Sequence, residues 1–581
     1  MLSLLVLLSI VGANPMSGLA ANGAPTHNDS TLNAPTHNDS TLNAPTHNDS
    51  TLNDSAMYRS KTVVVQGERF LTSGSQSMLA QTTIPNEFMR RLAPVQVSDA
   101  LQGVPGLFVR DYGGLGGLKT ASIRSGSSTQ TLVLIDGIRL TGSQNGQVDL
   151  GTIPVSFIGS IDVLRGGASA LYGANALTGV VGLNMQLPSA TAVHASFAEG
   201  SFEEQRVHAD VGVVTSAARI GAAVELSTTR GSFPYTFNTF GHDERIDREN
   251  GDSRNLNLFL CADFDDFYFL ALGRSTQRGV PGAVVQGNTS QASARLADDD
   301  GMVGIRHRVA MGRGWTMRTN ATARVFEQRY RDPDANLTGV GGIDELFTMR
   351  DGTAALTFMH SDSMAVSQFS IEGAYADLRG GGLQPDVGDF ITRRSAHATA
   401  SYQANLERLV SATDSSTMAT IMRGLSVQGA LRADAFSDVG LAISPLVALR
   451  FALSDATSLR SSWSFNFRPP SFNELYYLNY GTSTLVPERS HSFSVGGSTQ
   501  LSGMFAFDID VYGMFTQDLI LSVPVSPVIT SAQNVGRSVN IGFESTLRAS
   551  LFDGRLMGLS LIHISEPTRL RRISYAVFCL K

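Results

Sequence analysis

The chain has 581 residues, a formal net charge of −7, 42% apolar residues and a mean hydropathy of +0.01. That balance supports a sizeable core, yet past the first dozen residues no run of about 18 apolar residues occurs, which excludes a helical membrane bundle. The acidic balance and the lack of a basic stripe argue against a nucleic-acid partner. Cys261 and Cys579, the two cysteines, support neither a disulfide framework nor a cysteine zinc site.

Residues 1–21 read as an export signal. Leu2–Val11 is a short apolar stretch followed by small residues, although the usual basic start is absent. Residues 22–60 form a polar linker in which APTHNDSTLN occurs three times unchanged, at Ala24–Asn33, Ala34–Asn43 and Ala44–Asn53. Such a composition cannot bury enough apolar surface to offset chain entropy, so a disordered tether is expected. Metal binding by His27, His37 and His47 is the weaker reading. At 61–67 stands KTVVVQG, with Thr62, Val63, Val64 and Val65 as a lone β-prone run. Nothing local pairs its backbone, which suits strand addition to a partner's sheet edge; the first strand of the next domain is the alternative.

Residues 68–189 make a separate unit. Short amphipathic helices are expected at Ile84–Leu92 and Val97–Leu101, stopped by Pro105-Gly106 before a strand. Gly-rich connections follow at Tyr112–Lys119 and Thr141–Val148. Between them Leu132–Ile135 and Ile138–Leu140 flank Asp136-Gly137, a pair that tolerates positive φ at both positions of a type I′ hairpin. Gly166, Gly167, Gly173, Gly179 and Gly182 surround Tyr172 in a composition for tight backbone approach. GGLGGLKT (113–120) is not a phosphate loop, because Lys119 follows Leu118 rather than Gly.

From 190 to 558 the texture is two-residue alternation. Phe505, Phe507, Ile509, Val511, Gly513 and Phe515 share one face, against Ala506, Asp508, Asp510, Tyr512 and Met514. Leu425–Asp434 repeats the scheme and Leu256–Phe264 does so more weakly. So many strands in one segment predict a membrane barrel rather than a sandwich. Pro469-Pro470 must end a strand. Arg468 and Glu474 can pair inside a lumen or on a solvated surface, and both readings stand. The acidic segments His242–Asp252 and Asp298-Asp299-Asp300 offer oxygen ligands for calcium in loops, without an ordered ligand spacing. No nucleophile–base pairing stands out, so no enzymatic chemistry and no cofactor are expected.

Ile123–Gln186, with VSDALQGVPGLFV (97–109), resembles the plug domain of TonB-dependent outer-membrane receptors; Arg124, Asp136, Gly137, Arg165, Gly166, Tyr172 and Gly173 carry the match. Thr62–Val65 resembles the TonB box. Phe467–Tyr476 is similar to the FRxPxxxELY segment of receptor barrels, and Leu485–Ser490 to the LxPE(R/K)S that follows it, through Arg468, Pro469, Glu474, Pro487 and Glu488. Ser125 departs from the pattern, standing where the family usually has Gly. The resemblance implies a mainly β fold: an α+β plug inside a large antiparallel transmembrane barrel of about 22 strands in the Gram-negative outer membrane, bounded by its lipid. It implies plug apices at Tyr112, Gly113, Gly114 and Leu115 and at Ser143, Gln144 and Asn145 that face a small chelate, a ferric siderophore or cobalamin. It also implies the TonB–ExbB–ExbD complex as energy-coupling partner. A passive porin or surface adhesin is the alternative.

Residues 559–581 resemble a translated sequencing adapter and primer, so the gene product is expected to continue past this point. At roughly 20 residues per strand, 190–558 supplies about 16 to 18 strands. Two open edges at membrane depth are therefore expected, where each unpaired backbone group costs several kcal/mol, and stable insertion is not.

Overall fold

A computed structural model describes residues 77–565, apart from 114–115, 240–241, 282–292, 335–341, 389, 410–415, 503, 527–528 and 552–555. The export signal, the repeats, Thr62–Val65, Gly114, Leu115 and residues 566–581 lie outside the described residues.

The plug comprises β1 (Ala80–Pro85), α1 (Asn86–Leu92), α2 (Val97–Leu101), β2 (Leu107–Asp111), β3 (Lys119–Ile123), β4 (Thr131–Ile135), β5 (Ile138–Arg139), β6 (Ile158–Arg165), α3 (Ser169–Tyr172) and β7 (Gly179–Met185). Five strands form one sheet in the order β1-β6-β7-β4-β5. Helix α1 starts two residues later than the periodicity suggests, because Ile84 and Pro85 are drawn into β1 by pairing with Ile161 and Ser160 of β6. Strand β4 is buried along its whole length and pairs in parallel with β7, as expected of a strand covered on both faces. The β4–β5 hairpin closes on Asp136 (φ 44°) and Gly137 (φ 81°), both left-handed. Gly179 permits the close approach that its composition suggests: a Cβ there would lie 2.4 Å from the Leu164 carbonyl oxygen. Arg124 and Ser125 adopt φ of 51° and 60°, which is the physical reason a glycine is favoured at position 125.

Around the plug stand β8 (Ala192–Gly200), β9 (Glu204–Val214), β10 (Arg219–Thr229), β11 (Phe233–Thr239), β12 (His242–Arg248), β13 (Ser253–Phe264), β14 (Phe267–Gly279), β15 (Arg295–Gly312), β16 (Trp315–Asp332) and β17 (Ile343–Ser361). There follow β18 (Ala365–Gly380), β19 (Phe390–Asn405), α4 (Thr417–Gly424), β20 (Leu425–Phe436), β21 (Gly440–Ala452), β22 (Thr457–Arg468), α5 (Phe472–Tyr476), β23 (Glu488–Gln500) and β24 (Phe505–Gln517). Last come β25 (Ile520–Pro524), β26 (Thr530–Asn534), β27 (Arg537–Leu551) and β28 (Leu556–Ser565). Hairpins β11–β12 and β25–β26 stand apart; the other 17 strands close into a barrel in which β28 lies beside β8.

The two open edges expected are not seen: β28 closes the ring beside β8, and its residues Leu559–Ser565 come from the adapter-like segment. Closure depends on strand tilt and register stagger, so a smaller strand number closes a narrower ring. The meander has an odd number of strands, so the two that meet at the seam run in the same direction. Strand β8 is exposed on both faces. Alternation holds on the wall: Leu256, Leu258 and Leu260 are exposed, whereas Asn257, Phe259 and Cys261 point inward and are buried. Phe259, Cys261, Leu270 and Met302 join the plug's own core around Ile135 and Phe157. Short turns at 265–266, 313–314 and 362–364 mark one end of the barrel, and long connections such as 230–252 and 469–487 the other. In outer-membrane barrels these are the periplasmic and extracellular ends.

Candidate functional site

Two polar assemblies join the plug to one wall. At the end of β3 the left-handed turn throws Arg124 toward β27, where its Nε and Nη2 donate to the Glu544 carboxylate at 3.0 and 3.1 Å. Arg165, closing β6, donates to the same carboxylate at 2.5 Å and stands 3.5 Å from Asp510 on β24. The Arg124 guanidinium lies 4.3 Å from the Tyr512 ring centroid. Asn540 donates to the carbonyls of Arg124 and Ser125, so the strained turn is held at both ends. Arg124 and Glu544 are each about 1% exposed. Removing one partner of such a buried pair costs about 3–5 kcal/mol.

The second assembly centres on Arg468, the last residue of β22. It donates to Glu488 at 2.9 Å from both Nε and Nη2, and to Glu474 at 2.8 and 3.0 Å. The open question about Arg468 and Glu474 is answered: the pair is inside the lumen and Glu488 completes it. Glu488 also accepts from plug Gln130 at 2.8 Å and from the Ile520 amide at 2.8 Å. Pro469-Pro470 ends β22, Ser471 caps α5 in a capping box with Glu474, and half-buried Pro487 precedes β23. Helix α5 reaches the plug. Its first amides, Phe472 and Asn473, donate to the carbonyls of Ser143 and Gln144 at 2.8 Å each, satisfying groups a helix start leaves open.

The two apices differ in exposure. Tyr112 is exposed, with Arg110 5.9 Å from its ring, and Gly113 donates to Asp111 at 2.9 Å. Asn145 is exposed, Ser143 is half-buried, and Gln144 is buried at 3% exposure beneath α5. The remaining plug motif residues shape the backbone. Gly166 and Gly173 have φ of 103° and 80°, and the Tyr172 carbonyl accepts from Arg139. Asp136 accepts from the Tyr268 hydroxyl of β14 and from the Met185 amide at 2.9 Å. Burial pushes its carboxyl above the usual carboxylate range, opposed by those hydrogen bonds. Lys119 is buried, donates to Gln96 at 2.8 Å and lies 3.7 Å from Asp99.

Asp298–Asp300 is not a loop: it lies within β15, where Asp300 pairs with Arg274 and Arg324, and Asp298 accepts from Gln328. His242–Asp252 largely forms β12 against β11. Among the described residues no group of three or more His, Cys, Asp or Glu side chains is placed to hold a metal ion.

Opposite the clasped wall, a cavity of about 190 Å³ separates the plug segment Asp136–Gly146 from β14–β19. Gly137, Arg139 and Gly142 line it on the plug side; Gly304, Asn320, Thr322, Asp351 and Thr353 line the barrel side, with Pro470 and Ser471 above.

Sequence reasoning missed Glu544 and gave Asp510 no role beyond an inward position. Both stand on the inward phase of alternating strands; a carboxylate there, opposite plug arginines, was the available signal.

A plug riveted inside a closed barrel defines a gated outer-membrane receptor, and the comparisons agree. Residues 74–180 match the TonB-dependent receptor plug domain, and residues 221–566 match the TonB-dependent receptor-like β-barrel. The chain belongs to the TonB-dependent receptor family, whose members sit in the outer membrane. It is similar to the vitamin B12 transporter BtuB of Vibrio vulnificus, 23% identical over 478 residues, which cover 80% of this chain and 72% of that protein. The siderophore receptor PirA from Acinetobacter baumannii shares the fold with a TM-score of 0.61 at 16% identity, covering 83% of this chain and 80% of PirA. The ferric enterobactin receptor PfeA from Pseudomonas aeruginosa, solved with enterobactin, gives 0.63 at 16% identity, covering 85% and 81%. Among the described residues no helix is long and apolar enough to cross a membrane; the strands cross it.

Proposed function

We propose that this receptor imports a scarce chelate, a ferric siderophore or a cobalamin, driven by the TonB–ExbB–ExbD complex acting on Thr62–Val65. The observation that carries the reading is the buried clasp of Arg124 and Arg165 on Glu544. A passive pore has no use for a plug held by desolvated ion pairs, whereas an energised gate needs one that stays shut until it is pulled. Relatives that handle vitamin B12 and ferric enterobactin support the cargo class. Exposed Tyr112 and Asn145 would meet the cargo first, and force on the segment before the plug would open it by local unfolding.

Deleting Thr62–Val65 tests this. Uptake of cobalt-labelled vitamin B12 or iron-labelled ferric enterobactin should stop while binding to the cell surface persists. Unchanged uptake would make the chain a passive porin, and binding without any uptake in the parent would make it an adhesin.

A further inference from the structure

We infer that cargo passes along the β14–β19 wall, through the cavity, and that the plug segment Asp136–Gly146 is the element that yields. This rests on the import reading above. Three observations point to that side.

First, β5 is a two-residue edge strand of the plug sheet, paired with β4 at Leu134↔Arg139 and Ile135↔Ile138 and extended by the Leu140 amide to the Val133 carbonyl at 3.0 Å. Its displacement leaves β1, β6, β7 and β4 paired, so the opening unit is small. Second, the buried plug side chains Arg124, Arg165 and Gln130 reach β27, β24 and β23 on the other wall, whereas the ion pair toward β14, Asp149 with Arg278 at 2.6 Å, falls outside the segment Asp136–Gly146. The segment is held instead by hydrogen bonds: Tyr268 and Arg306 to Asp136, Arg324 to the Leu140 carbonyl at 2.6 Å, Arg139 to the Ala174 carbonyl at 2.8 Å, and the α5 amides to the Ser143 and Gln144 carbonyls. Third, the facing wall holds unused acceptors. Asn320 Oδ1 and Asp351 Oδ2 are buried without a hydrogen-bond partner, and the Thr322–Thr353 hydroxyl pair (2.8 Å) sits between them in the β16–β17 register. Together they form a subsite for the amide or hydroxyl donors of a chelate in transit.

Two engineered disulfides separate this route from withdrawal of the whole plug. A Cβ at Gly304 would lie 3.6 Å from Ile138 Cγ1, the position a cysteine Sγ takes, so Ile138→Cys with Gly304→Cys bolts the hairpin to the cavity wall. A Cβ at Gly167 would lie 2.3 Å from Asn466 Cγ, so Gly167→Cys with Asn466→Cys bolts the plug to β22. Uptake of the two labelled probes is measured with and without reductant, beside surface binding and outer-membrane level. The hairpin bolt should lower uptake at least about tenfold with binding retained and recovery on reduction; the β22 bolt should leave uptake unchanged. Normal uptake through the hairpin bolt, or arrest by both bolts, overturns the route. If the parent chain takes up neither probe, or does so without Thr62–Val65, the import reading itself fails and the route falls with it.

Discussion

The two walls of this lumen hold the same plug by different chemistry. Toward β22–β27 the contact is a set of desolvated charges, Arg124 and Arg165 on Glu544, with Gln130 on the Glu488 that Arg468 holds in place. Toward β14–β19 it is a few hydrogen bonds around Asp136 and Leu140 and one ion pair, Asp149 with Arg278, at the end of β14, with a cavity left between. A buried ion pair is costly to half-break, while a single hydrogen bond contributes little net free energy. One wall therefore behaves as a hinge plate and the other as a door edge.

Glu544→Leu should break that contrast most. It leaves Arg124 without its carboxylate in a buried site and should destabilise plug seating by about 3–5 kcal/mol. The plug's melting transition in detergent should fall, and cells should admit large antibiotics; an unchanged transition would remove the anchor from the argument. Tyr268→Phe acts on the other wall. Losing a hydrogen bond to the Asp136 carboxylate should loosen the hairpin by about 1.5–3 kcal/mol, seen as faster amide exchange over residues 134–142 while residues 160–165 stay protected. Equal acceleration in both segments would mean the plug opens as one body. Arg91→Ala should do least. Its partner Glu87 is an exposed i,i+4 neighbour at 2.7 Å, and such pairs contribute at most about 0.5 kcal/mol. A melting shift as large as that of Tyr268→Phe would show that α1 carries an unrecognised contact.

Much of this was legible along the chain. Asp136-Gly137 announces its turn because only certain residues adopt positive φ at low cost, and both do so. Alternation at Phe505–Phe515 announces a lipid-facing strand because side chains repeat every second residue. Less legible was the start of α1. Its local pattern extends through Ile84, but a ladder to β6, nearly eighty residues on, claims that residue for a strand. The apices show the same limit. Gln144 belongs to a glycine-rich connection of the kind that projects into solvent, yet α5 from a barrel connection lies over it.

By itself the sequence determined the hairpin and the barrel's inside and outside, because each depends on residues a few positions apart, and it left the place of the Arg468–Glu474 pair open. Only the tertiary structure decided that Arg124 meets Glu544, 420 positions away, that β28 comes to lie beside β8, and that the wall facing Asp136 keeps a cavity. Those outcomes depend on ring closure and plug orientation, which bring distant inward-facing side chains to the same height, and no local pattern encodes that height.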